Sequence, residues 1–433
     1  MSSNNKKILV IGAGFAGVEF CRKFAVPGCE VTLIDRQNHH LFQPLLYQVA
    51  TTGMADCTIA APIRSMFSSR EDIKVLKGEV TEIDLKGCKV VLDKSETLEF
   101  DYLVIATGAK TSYFGRDEQW APYAPGMKSL DDAHNLRNTV LGNFEKAERE
   151  TDPVEKQKLL TIALVGGGPT GLELAGAFSE YINQVAKNDY SNFEPSDVKI
   201  ILIEAMSRLI PPFTEENSER AKKQLEALGV DVRLNHMVKN ITEGKLEFED
   251  STIEAANIFW TAGVGPGKWT SKLGVETDRA GRIVVETDCS VKGYPNVFAV
   301  GDVAAMTDIK GVRVPGVAPA AVQMAAFSAD LIRAEITAGA ESRKNAKGFT
   351  YWDKGAMAII GKGKAVLQTP GKKLQFGGPF AWLGWLVVHL MFLEGWRNKI
   401  ASTITWLYSY GTNRRSNRVI SQQDKTFSHA WEK

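Results

Sequence analysis

Six glycines in two sets are the residues whose spacing could do chemistry. Gly12, Gly14 and Gly17 form GxGxxG directly after the apolar run at residues 8–11, and Gly166, Gly168 and Gly171 repeat it after residues 162–165. The first glycine of each set permits a tight strand-to-helix turn. The second lets a pyrophosphate approach the backbone, and the third lets the helix pack close to the sheet. Unpaired N–H groups at the start of that helix then face the phosphates. An acid at the end of the next strand completes each set by accepting bonds from ribose hydroxyls: Asp35, 18 residues beyond Gly17, and Glu204, 33 residues beyond Gly171. The second spacing exceeds the usual ~20 residues, and an extension at residues 181–197 accounts for the excess. A carboxylate at position 204 repels a 2′-phosphate, so NADH is expected over NADPH.

The elements that must hold these residues read as two βαβ modules. The glycine turns lie 154 residues apart, far beyond a solenoid period. Residues 101–109 (DYLVIATGA) read as a buried strand ending at Thr107 and Gly108, and 296–304 (NVFAVGDVA) as a strand ending at Gly301 and Asp302. An Asp beside glycine at a strand end suits the ribityl hydroxyls, or the pyrophosphate region, of a flavin. Helices are expected at 130–150, at 217–228 with Gly229 as the stop, and at 317–335. The polar stretch 151–158, with Pro153, reads as a hinge, and 349–369 as two strands around residues 361–364.

The 433 residues predict two or three domains at roughly 100–200 residues each. Lys and Arg minus Asp and Glu is 52 − 51 = +1, which gives no support for a nucleic-acid binder. The five cysteines (Cys21, Cys29, Cys57, Cys88, Cys289) include no CxxC pair, which argues against a stapled secreted fold, a cysteine zinc site or a CxxC redox centre. No metal-ligand set is visible. The N-terminal segment, MSSNNKK before ILVIGAGFAG, reads as a strand entering a glycine turn and not as a secretory signal.

Both fingerprints with the ATG and GD motifs, over residues 7–331, resemble the two-dinucleotide-binding flavoprotein superfamily. Within it, residues 40–53 (HLFQPLLYQVATTG), residues 314–324 (VPGVAPAAVQM) and the Trp-, Leu- and Phe-rich segment 380–410 resemble the type II NADH dehydrogenases, single-subunit NADH:quinone oxidoreductases that do not pump protons. The resemblance implies an α/β fold with two Rossmann-like domains, for FAD and NADH, and a C-terminal amphipathic helical region that anchors to a membrane. It implies an FAD domain at residues 1–130 and 285–335, an NADH domain at 131–284, and a hairpin with the membrane-associating region at 336–433. Asp302 would contact FAD, and Gln323 would lie near flavin and quinone. Many relatives continue with a second Gln and a Gly where this chain has Met324 and Ala325, which leaves Gln323 as the single amide. Glu173, two residues past the third glycine, would handle protons between the nicotinamide and quinone sites. The first module carries Glu19 at the equivalent place, and a carboxylate in a first helical turn is favoured by the helix dipole whatever its function.

Disulfide reductases of this fold need a redox cysteine pair, and sulfide:quinone oxidoreductases need cysteines after the ATG segment; none stands between Cys88 and Cys289. Cys57 reads as an idle thiol and His389 as a satisfied core histidine. Residues 380–393 would span about 21 Å as a helix, short of a hydrocarbon core of about 30 Å. Trp382, Trp385, Trp396, Trp406 and Tyr408 are aromatics of the kind found at a lipid–water boundary. Ile400, Ile404 and Leu407 share a helical stripe, and seven Lys or Arg against two acids (Asp424, Glu432) follow from residue 395. That pattern suits anionic lipid.

The expected reaction passes hydride from NADH to FAD and then two electrons to a quinone arriving from the tail side. The expected setting is the cytoplasmic face of a membrane, peripherally bound, as a homodimer. Competing readings are another flavin-dependent pyridine-nucleotide reductase, a non-catalytic redox-responsive flavoprotein, or a lipid-modifying flavoenzyme.

Overall fold

The first apolar run becomes strand Lys6–Ile11, fully covered from Ile8 onward, at the middle of a six-stranded sheet. The computed structural model describes residues 6–184 and 186–421. The sheet order is Ser290–Val291, Tyr294–Ala299, Tyr102–Ile105, Lys6–Ile11, Cys29–Asp35, Ile73–Lys77, and all neighbours are parallel but for the first pair. Continuous apolar strands such as Tyr102–Ile105 suit a parallel sheet covered on both faces. Helices Phe15–Lys23 and Ala318–Ala338 pack on it. One compact unit contains these elements: Met1–Leu41, Ala61–Lys110 and Val264–Asp353.

The other unit is Phe42–Ala60, Thr111–Gly263 and Lys354–Lys433. Its parallel sheet runs Val230–Arg233, Lys199–Ile203, Thr161–Val165, Asn257–Trp260. Helices Leu130–Ala147, Pro169–Gln184 and Glu215–Glu226 belong to it. The antiparallel strands Ala356–Gly361 and Lys364–Gln368 form the expected hairpin, extended by Gln375–Gly377. Helices Gly378–Phe392 and Trp396–Thr412 follow.

The sequence hinge at 151–158 is corrected to a helix, Pro153–Leu159. The Asp152 carboxylate accepts from Val154 N at 2.8 Å, and Pro153 occupies a first-turn position that needs no donor. The extension at 181–197 begins as the last turn of helix Pro169–Gln184 and continues as short 3-10 turns.

The tail expectations also change. Trp385 and Trp406 are buried, whereas Trp396 (79% exposed), Ile400, Ile404 and Leu407 face outward. Two cations are neutralised: Arg415 pairs with Glu180 at 3.0 Å, and Arg418 pairs with Asp189. Lys425, Lys433, Asp424 and Glu432 lie outside the described residues. The outward face is thus more apolar and less basic than composition implied. Among the described residues no helix is long and apolar enough to cross a membrane.

Candidate active site

The two glycine sets build matching cradles. In the first unit, Gly12 turns with φ +103°, and a Cβ there would stand 2.5 Å from the Ala106 carbonyl oxygen. A Cβ on Gly17 would stand 1.8 Å from the Gly12 oxygen, so any side chain would push helix Phe15–Lys23 off its turn. A Cβ at Gly14, by contrast, meets nothing within 4 Å, which is the free space a pyrophosphate needs above the helix start. Gly12 N donates to Ile34 O at 2.7 Å, and Asp35 Oδ2 accepts from Ala13 N at 2.6 Å. Each carboxylate oxygen has a second lone pair, so Asp35 can still receive a ribose hydroxyl.

Thr107 and Gly108 follow strand Tyr102–Ile105 at the same edge of the sheet, and Gly301 and Asp302 open the short turn Gly301–Val303 after Tyr294–Ala299. Carboxyl ends of parallel strands are where nucleotides bind in such sheets. The buried imidazole of His40 bonds Ala13 O through Nδ1 at 2.9 Å and meets the Phe15 ring edge-on at 5.3 Å. It ties down the glycine loop at Ala13, a contact the sequence did not reveal. These residues fit FAD.

In the second unit Gly166 N donates to Ile203 O at 2.7 Å, and Glu204 Oε2 accepts from Gly167 N at 2.7 Å. Gly166 (φ +118°) has Ala262 backbone 2.6 Å from an added Cβ, Gly171 would clash with Gly166 O at 1.9 Å, and Gly168 again faces open space. The Glu204 Oε1 atom accepts from Met206 N at 2.8 Å. Nearby Arg208 is bound to the carbonyls of Phe213 and Pro211 and is not extended toward a ligand. These residues fit NADH.

Glu173 lies one turn into helix Pro169–Gln184 and opens onto a recess. Tyr47, Gln48, Glu180, Tyr410 and Arg415 also line it. Strand Ala356–Gly361 covers one side and approaches so closely that a Cβ on Gly176 would stand 1.7 Å from the Ile360 oxygen. The Glu173 carboxyl touches the recess but has protein around it, and this loss of hydration pushes its pKa up to about 8, against a bond from the Ile359 N–H that favours the ionised form. It therefore holds its proton at neutral pH.

Glu180 receives Lys362 N and Arg415 Nη2, while Arg415 Nη1 reaches Thr51 O (2.7 Å) and Ala177 O (3.2 Å). Sequence reasoning missed Tyr47, Glu180, Tyr410 and Arg415. The sequence signals that bore on them were the Gln-rich segment 40–53 and the aromatic segment 380–410.

Gln323 is placed in the first unit, on helix Ala318–Ala338. Its amide bonds one residue at both ends: Nε2 donates to Trp352 O at 3.0 Å, and Oε1 accepts from Trp352 N at 2.9 Å. His389 bonds Trp385 O at 2.7 Å and stacks on that indole at 3.8 Å; burial lowers its pKa to about 4, so it is neutral. All five cysteines are free thiols, and the carbonyl of the exposed Cys57 receives Arg397 Nη1 at 3.1 Å.

Two glycine cradles, each closed by an acid at the end of the second strand, define the class of two-nucleotide flavin reductases. The family described as pyridine nucleotide-disulphide oxidoreductase matches residues 6–325, and one described as NDH2 C-terminal domain matches residues 353–415. The type II NADH:quinone oxidoreductase Ndh of Mycobacterium tuberculosis is 40% identical over 429 residues, 96% of this chain and 90% of that protein. The chain belongs to the type II NADH:quinone oxidoreductase family. An internal alternative NAD(P)H-ubiquinone oxidoreductase of Arabidopsis thaliana is 28% identical, covering 95% and 86% of the two chains. A solved structure of NDH2 from Plasmodium falciparum in complex with NADH shares the fold, with a TM-score of 0.87 at 22% identity over 97% and 100% of the two chains.

Proposed function

We propose that this protein oxidises NADH and reduces a membrane quinone to quinol without pumping protons, with FAD in the first cradle and NADH in the second. When bound, the flavin accepts a hydride and returns two electrons. The chain supplies everything else. The open space at Gly14 and Gly168 leaves room for two pyrophosphates, and Glu204 selects NADH by repelling a 2′-phosphate. Asp302, Thr107 and Gly108 would hold the flavin, and Gln323, which bonds the Trp352 backbone, would lie near flavin and quinone.

The observation that carries the quinone half is the recess around Glu173. A neutral carboxyl there can give a proton to a quinone oxygen as charge develops on it. The tail helices form part of the wall through Trp406 and Tyr410 and expose a row of apolar side chains, so a lipid-dissolved substrate could enter from their side. We assign those helices to the lipid surface, the protein to the cytoplasmic face of the membrane, and the assembly to a homodimer.

The test is steady-state turnover of NADH with a short-chain quinone, alongside vesicle sedimentation. The expected results are robust turnover, a higher kcat/KM for NADH than for NADPH, and loss of sedimentation when residues from 380 onward are deleted. A protein that binds both nucleotides yet turns over no quinone would instead be a redox-responsive binder.

A further inference from the structure

The hydrogen-bond direction at one wall of the recess follows from donor chemistry alone. An indole N–H can only donate. Trp406 Nε1 points at Gln48 Oε1, 2.8 Å away, and this fixes the Gln48 amide with its NH₂ on the opposite side. That NH₂ donates to Tyr47 Oη at 2.8 Å. The phenol oxygen is thus already an acceptor, and its own proton is left to donate. All three side chains are buried, while Tyr47 borders the recess that contains Glu173. The aromatic ring packs edge-on against Trp385, 6.3 Å away, which holds the hydroxyl in place. Burial, with Tyr410, Glu173 and Glu180 nearby, raises the Tyr47 pKa well above that of an ordinary phenol; it stays a protonated donor across the working pH range.

We propose that Tyr47 is a catalytic residue that donates a hydrogen bond to a carbonyl oxygen of the bound quinone, with Gln48 and Trp406 as positioning residues that aim its proton. The proposal rests on the reading of the recess as the quinone site. Two-electron reduction builds negative charge on the quinone oxygens, and a donor already oriented toward one of them strengthens its bond as that charge grows. Tyr47 keeps its proton throughout; Glu173 is the group that gives one up. The relay also polarises the phenol, since an oxygen that accepts a bond becomes a better donor.

The experiment compares Tyr47→Phe, Trp406→Phe and the double variant by quinone kcat/KM, with the rate of anaerobic flavin reduction by NADH measured in each. Tyr47→Phe should lower quinone kcat/KM on the order of tenfold, the worth of one well-made hydrogen bond, and leave flavin reduction by NADH unchanged. Trp406→Phe should shift quinone kinetics the same way and less, and the double variant should be no worse than Tyr47→Phe alone, because Trp406 acts through Tyr47. Should Trp406→Phe not fold, Gln48→Met removes the same relay and carries the same expectation.

Unchanged quinone kinetics in Tyr47→Phe, or additive losses in the double variant, overturns the proposal. A moved pH profile with unchanged quinone KM would place the Tyr47 proton on Glu173 and overturn it equally. Absence of quinone turnover in the unaltered protein would sink the functional reading itself, whereas turnover there with an indifferent Tyr47→Phe sinks this inference alone.

Discussion

The two cradles are the same device twice, nearly bond for bond. The first glycine donates to the end of the second strand at 2.7 Å in both, and the next N–H reaches the terminal acid at 2.6 Å in one and 2.7 Å in the other. What differs is the element laid over the helix that follows. Helix Phe15–Lys23 is packed by another helix, Ala318–Ala338. Helix Pro169–Gln184 is packed by the strand Ala356–Gly361, admitted by Gly176. Glu19 and Glu173 occupy equivalent places, yet only the second lies under that strand in a recess. The nucleotide sites come from the local motif; the acid chemistry comes from the covering element.

The largest expected effect separates the cradles outright. Gly12→Ala puts a methyl against the Ala106 carbonyl at a φ that L-residues avoid, and should yield protein without bound flavin, read as loss of visible absorbance. Gly166→Ala should keep the flavin and weaken NADH on the order of 10²-fold in KM; equal loss of both ligands would erase the distinction between the two cradles.

Glu173→Gln should slow quinone turnover on the order of 10²-fold, as removal of a proton donor does, with flavin content intact. In the unaltered enzyme the quinone rate should fall as pH rises through about 8, where Glu173 ionises. Stability follows the same sign. The raised folded-state pKa adds stability that is complete below the ordinary glutamate value of 4.5 and gone above about 8, so Tm should decline over that window relative to Glu173→Gln.

Smaller still, Glu204→Gln should narrow the NADH-to-NADPH ratio of kcat/KM by about tenfold, since only charge repulsion is removed. A ratio that does not move would put nucleotide choice elsewhere.

Most of the fold could be read from the sequence because its signals are local. Glycine spacing, apolar strands and the Gly361–Lys364 turn each lie within a few residues of what they specify. Polar stretch 151–158 misled because Asp152 and Pro153 start a helix as readily as they break one. The recess was not legible, since its walls come from four distant segments: Arg415 meets Glu180 across 235 residues, and Trp406 meets Gln48 across 358. The tail's aromatics and cations could be counted but not oriented. A tryptophan needing an N–H partner and an arginine facing a buried carboxylate both turn inward, and neither choice shows in composition.

The most direct test is anaerobic and has two stages. NADH added to the purified yellow protein should bleach the flavin, and a short-chain quinone added next should restore the colour while quinol forms in equal amount to the NADH consumed. Protein that is colourless and takes up no FAD, or that bleaches and does not recover with quinone, contradicts the account.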